Sequence, residues 1–130
     1  MLRAHGIAPP APFVALSPND ALQLQSITAR VHVDEDLYAY AVAMSQFTRH
    51  HARVVLGASP RASLGLLRAA KASAVLAGRG FVTPDDVRAV APPVLAHRLI
   101  LVPELEGDLR ARTSIIEEAI AKVSYRAQPR

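Results

Sequence analysis

Residues 57–101 read GASPRASLGLLRAAKASAVLAGRGFVTPDDVRAVAPPVLAHRLIL, and the two helices written into this stretch decide the fold. Ser59 is a good N-cap, and Pro60 suits the first helical position, where a missing N–H costs nothing. From Pro60 to about Ala77, one face carries Leu66, Ala69, Ala70, Ser73 and Ala77, small enough for a neighbouring helix to approach closely. Gly78-Arg79-Gly80 then stops the helix. Thr83-Pro84-Asp85-Asp86 repeats the opening device: a threonine cap, proline first, acids in the first turn. Val87, Val90 and Ala91 face inward until Pro92-Pro93 breaks this second helix, leaving a short continuation through Arg98.

Working outward, Ser17-Pro18 with Asp20 opens an earlier helix whose apolar positions are Leu24, Ile27 and Val31. Asp34 caps the next one, where Leu37, Tyr40, Ala41, Met44 and Phe47 form a stripe of helical period ending in the polar cluster from Thr48 to His51. A last helix is expected from Thr113 to Val123, with Ile115, Ile116, Ala119, Ile120 and Val123 on its apolar side. Two short β-flavoured runs, Val54-Val55 and Phe81-Val82, predict a tiny two-stranded ribbon. The expectation is an all-α bundle of about four main helices over residues 14–124, after a proline-rich linker at 1–13 and before a frayed tail at 125–130.

Composition narrows the function. A chain of 130 residues, 51% hydrophobic but only 5% aromatic, supports one domain whose core is alanine, leucine and valine. It has no cysteine, and its five histidines form no i, i+4 pair beside an acid, so no metal site is expected. The net charge of +4 is spread among interleaved acids and bases, which permits a nucleic-acid partner without demanding one. No apolar run is long enough to span a membrane and no secretory leader is evident, so the expected compartment is the cytoplasm.

Arg61 is the residue with chemistry to offer. It falls on the first turn of a capped helix, where orphan N–H groups and the dipole favour an anion, and its guanidinium adds a fork of donors for phosphate oxygens. The plainer alternative is a solvated arginine on an ordinary helix. No G-x-x-x-x-G-K loop and no strand ending in acids is present, and Gly78-Arg79-Gly80 follows a helix instead of a strand. With no local hydrolase signature either, the chain holds no self-sufficient active site and is not expected to be an enzyme alone. Two other readings stay open. One is a small basic nucleic-acid-binding domain using Arg61, Arg68 and Lys71, against which Asp85 and Asp86 count. The other is a helical protein-interaction module working through the last helix or the Pro92-Pro93 turn.

The ordered elements GASPRA, VTPDDV and APPVLAHRL between Gly57 and Leu101 resemble the C-terminal lid of the MoxR family of AAA+ ATPases. The preceding VHVDEDLYAYAVAMSQFTRHH resembles the lid helices before them, and MLRAHG the exit from the large ATPase subdomain. The resemblance implies ring-forming, ATP-driven, chaperone-like machines that often work with proteins carrying von Willebrand factor type A domains. It implies that Arg61 is the sensor-2 residue, reaching the γ-phosphate of ATP and contributing to catalysis. Ala58, Ser59, Pro60 and Leu64 would then lie at the nucleotide, with Ala58 and Leu64 toward the adenine or ribose. ATP and Mg2+ would be held by the large subdomain, whose phosphate loop and metal-binding acids this chain lacks. The chain is accordingly expected to be a lid apart from that subdomain, inactive as an ATPase and monomeric by itself.

Overall fold

The computed structural model describes residues 16–125. The linker expected at 1–13 lies outside the described residues, as does all but the first residue of the tail expected at 125–130. The ring of that residue, Tyr125, meets Tyr40 edge-on with centroids 5.8 Å apart.

Among the described residues five α-helices carry the fold, as the all-α reading expects. They are α1 (Pro18–Ala29), α2 (Glu35–Arg49), α3 (Pro60–Leu76), α4 (Pro84–Leu95) and α5 (Leu109–Lys122). Helices α2, α3, α4 and α5 close a ring of contacts, α2 on α3, α3 on α4, α4 on α5 and α5 on α2, around one core. Leu37 and Met44 from α2, Leu66 from α3, Val87 and Leu95 from α4, and Ile115 and Ile116 from α5 are buried there. Each such side chain contributes roughly 1.5–3 kcal/mol over an exposed one, so this ring, more than any local signal, holds the helices.

The capping chemistry holds at two of the four expected starts, while Asp34 and Ser59 occupy the N-cap positions of α2 and α3 without a side-chain capping bond. Ser17 and Thr83 both complete capping boxes, with Asp20 and Asp86 respectively. Gly78 adopts φ 71° after α3, a left-handed conformation that suits glycine at a helix end. Several details differ from expectation. Helix α1 buries nothing and leaves Leu24 and Ile27 exposed, because it leans mainly on α3 instead of entering the ring. The buried face of α3 is Ala62, Ser63, Leu66, Leu67, Ala70 and Ala74, rotated from the predicted one, so that Ala77 is exposed. Helix α4 continues through Pro92 and Pro93 to Leu95, although neither proline has an N–H to give; the buried Ala91 and Leu95 hold that turn by packing. Helix α5 starts four residues earlier than Thr113, because the Asp108 carboxylate accepts from the Arg110 and Ala111 N–H groups.

The ribbon exists with a different partner. Strand β1 (Val54–Leu56) pairs antiparallel with β2 (Ile100–Leu101), Val54 opposite Leu101 and Leu56 opposite Ile100. Phe81 instead makes a single parallel bridge with His32, through His32 N–H to Gly80 O at 2.9 Å and Val82 N–H to His32 O at 3.0 Å. Two clips result: one ties the α1–α2 connector to the α3–α4 connector, the other ties the approach to α3 to the chain after α4.

Candidate functional site

The start of α3 is strapped to the end of α2. The Gly57 backbone lies so close to Arg49 that an added Cβ would sit 2.6 Å from the Arg49 nitrogen and 2.7 Å from its Cα. Beside this contact the buried Ala58 N–H donates to Thr48 Oγ1 at 2.9 Å, and Arg49 Nε–H donates to the Ala58 carbonyl at 2.7 Å. One turn further, Ser63 Oγ donates to Ser45 Oγ at 2.8 Å, and Ser45 Oγ to the Ala41 carbonyl at 3.2 Å. Ser45, Thr48 and Ser63 are all buried, so these bonds work where water does not compete. The first turn of α3 is thereby held at fixed height on the bundle.

Arg61 stands on that turn. It is exposed, and among the described residues nothing accepts a hydrogen bond or an ion pair from its guanidinium. Ser59 occupies the N-cap position, yet its side chain makes no capping bond, and the N-terminal N–H groups of α3 keep no acid in the first turn. Ser59 and Pro60 are exposed beside Arg61, and Leu64, one turn on, is 54% exposed. The structure therefore gathers Ser59, Pro60, Arg61 and Leu64 at one open helix start. Ala58 is different: its side chain is fully buried and both of its backbone polar groups are engaged. Its side chain thus offers no surface at this helix start, and its two backbone bonds hold the turn.

Of the other cations on α3, Arg68 is exposed, while the Lys71 ammonium donates to the Ala29 carbonyl at 3.1 Å. Three free bases in one stripe are thus not what α3 presents. Asp86 is likewise committed: Arg79 grips it with two bonds of 2.7 Å, and Thr83 N, Thr83 Oγ1 and Ser73 Oγ add three more. The Arg79 bonds first, then those from Thr83 and Ser73, hold its carboxyl well below the usual range against the opposing effect of burial. This clasp fixes the glycine stop after α3 to the first turn of α4. Among the described residues no three His, Cys, Asp or Glu side chains converge as metal ligands. No helix among them is long and apolar enough to cross a membrane.

The pattern of motif and geometry has a match among known proteins. A family model for the AAA lid domain matches residues 46–123, and the chain belongs to that family. It is 36% identical over 126 residues to the uncharacterized protein YeaC of Bacillus subtilis, which covers 97% of this chain and 39% of that protein. It is 37% identical over 128 residues to the chaperone MoxR1 of Mycobacterium tuberculosis, covering 92% of this chain and 34% of the other. The crystal structure of a "putative ATPase" from Cytophaga hutchinsonii has a TM-score of 0.76 at 33% identity, covering 84% of this chain and 36% of that one. The chain therefore spans about 34–39% of the length of these relatives, and the resemblance to MoxR proteins holds.

Sequence reasoning reached Arg61 through the Ser59-Pro60 signal but missed the strap. Thr48 read as part of a polar helix end, and Gly57 as a loop opener. Only the approach of α2 to the loop gives either a partner.

Proposed function

We propose that this chain is the lid of an ATP-driven MoxR-type machine and that Arg61 is its sensor-2 arginine. The observation that carries the reading is an exposed guanidinium, without a partner among the described residues, on the strapped first turn of a seventeen-residue helix. A helix start with orphan N–H groups and a free guanidinium suits a terminal phosphate, since charge-assisted forks and the dipole act in the same direction. When bound at the large subdomain, ATP with Mg2+ supplies the phosphoryl group for transfer. Arg61 orients the γ-phosphate oxygens and offsets charge that develops on them. Pro60 and Ser59 set the start of the helix, and Leu64 lies against the nucleoside side.

Coupling follows from rigidity. Because the backbone of Arg61 cannot shift without moving α3, a change in its phosphate contact is transmitted to the lid as a body, a movement passed to neighbouring subunits of a ring. Residues 14–124 act as this body. By itself the chain binds nucleotide feebly: one charge-assisted contact contributes roughly 1.5–3 kcal/mol, against ~8 kcal/mol for a micromolar complex. It has no ATPase activity apart from the large subdomain and is a monomer; the whole machine works in the cytoplasm, with proteins carrying von Willebrand factor type A domains as partners.

The test is Arg61→Ala in the protein that joins this lid to its large subdomain. ATP turnover is expected to fall roughly tenfold to hundredfold, with the thermal midpoint unchanged because the Arg61 guanidinium holds no partner among the described residues. Unaltered turnover together with unaltered nucleotide affinity removes the role.

A further inference from the structure

Arg112 is the anomaly of this surface. Arg53, Arg79 and Arg88 are half-buried and each holds a carboxylate, from Glu118, Asp86 and Asp85 respectively. Arg112, near the start of α5, is half-buried too, yet its Nε is shut off from solvent with no hydrogen-bond partner. Among the described residues its guanidinium makes no ion pair. A buried donor left unmatched is costly, so an acceptor brought to this guanidinium from outside is favoured.

The surroundings say what such a partner must be. Arg112 lines a cleft of roughly 320 Å³ between the end of α4 and the start of α5, walled by Pro92, Pro93, Ala96 and Leu109, with the exposed His97 among its lining residues. No acid lines it. The two prolines have no N–H, and His97 Nδ1 is already engaged with the Pro93 carbonyl at 3.0 Å. The N–H groups of Arg110 and Ala111 at the start of α5 are taken by Asp108. Donors are therefore few and centred on one planar fork, which matches the two oxygens of a carboxylate and leaves a phosphate under-bonded. The apolar walls suit an aliphatic stem and an apolar neighbour.

We propose that this cleft receives a glutamate or aspartate side chain, carried beside an apolar residue, from a partner protein. The site does not use Arg61 and stands apart from the phosphate reading above.

The experiment is nitrogen-15 NMR titration of the full 130-residue chain with the blocked peptide acetyl-Leu-Glu-Leu-amide, its glutamine counterpart and inorganic phosphate. Expected are saturable shifts of the Arg112 Nε–H and of the Ala96, His97, Leu109 and Thr113 amides with the glutamate peptide. The glutamine peptide, and Arg112→Gln titrated with the glutamate peptide, are each expected to bind at least tenfold more weakly, with Arg112→Lys retaining part of the affinity. Equal binding of the two peptides, shifts centred elsewhere, or phosphate competing at similar concentration would overturn the proposal. The peptide comparison is made on the unmodified chain, so it decides the matter even if the variants are unstable.

Discussion

Replacing Gly57 with alanine puts a methyl carbon 2.6 Å from the backbone nitrogen of Arg49, 2.7 Å from its Cα and 2.8 Å from its Cγ. Two of these three neighbours are backbone atoms of α2, so a side-chain rotation cannot relieve the clash. The loop must retreat by several tenths of an ångström, and its bonds are short: 2.9 Å from Ala58 N–H to Thr48 and 2.7 Å from Arg49 to the Ala58 carbonyl. Overpacking of this kind costs about 1–3 kcal/mol, and loosening a buried N–H adds about 1–3 kcal/mol. Alanine returns about 0.4–1 kcal/mol by narrowing the unfolded ensemble. The net loss is then about 3 kcal/mol. With an unfolding entropy of ~2.1 cal/mol/K per residue, a chain of 130 residues loses one degree per ~0.27 kcal/mol, so Tm should drop by about 10 °C. The assay is thermal unfolding followed by circular dichroism at neutral pH. A Gly57→Ala variant melting with or above the parent would show that the close approach of loop and helix is not what holds the start of α3.

Gly65 is the opposite case. It lies inside α3, and an added Cβ meets only Val94 Cγ1, at 4.0 Å, so Gly65→Ala should raise Tm by roughly 2–4 °C through helix propensity. A decrease would show α3 and α4 packed more tightly there than these distances allow. Asp86→Asn should cost about 2–3 kcal/mol, or roughly 7–11 °C, because the Arg79 fork and the Thr83 cap both lose the carboxylate they grip. Since the Asp86 pKa is depressed in the folded chain, its stabilising contribution is complete above the ordinary carboxylate value of ~3.9 and is lost as pH falls toward the folded value. Melts between pH 5 and 2 should therefore decline more steeply for the parent than for Asp86→Asn. Parallel slopes would exclude Asp86 as a source of acid sensitivity. Asp20 and Glu118, whose pKa values are also lowered by their hydrogen-bond partners, contribute in the same direction in parent and variant alike.

How far the sequence speaks depends on the range of the interaction that decides each feature. Caps act within three residues, and so Ser17 with Asp20, Thr83 with Asp86, and the Pro60 start of α3 were legible. Asp108 obeys the same rule and was passed over because the apolar period becomes plain only near Thr113. Pro92-Pro93 misled for the converse reason: the local penalty is real, but the burial of Leu95 outweighs it. Ribbon pairing could not be read at all, since Val54, Phe81 and Ile100 have similar β preference and nothing in their order says which two meet. Orphaned Arg112 was equally silent, because a lone arginine in a sequence carries no record of whether an acid lies near it in space.

What the sequence by itself determined is the set of helices, the capped starts of α1 and α4, the α-class of the bundle, and Arg61 as the base at the head of α3. Each follows from chemistry between residues a turn or less apart. Tertiary structure alone decided the rotation of α3, the ribbon partner, the burial of Ala58, and the strap of Gly57, Thr48 and Arg49 beneath Arg61. Those depend on which surfaces the closing ring of four helices brings within van der Waals and hydrogen-bond reach, and separation along the chain does not encode that distance.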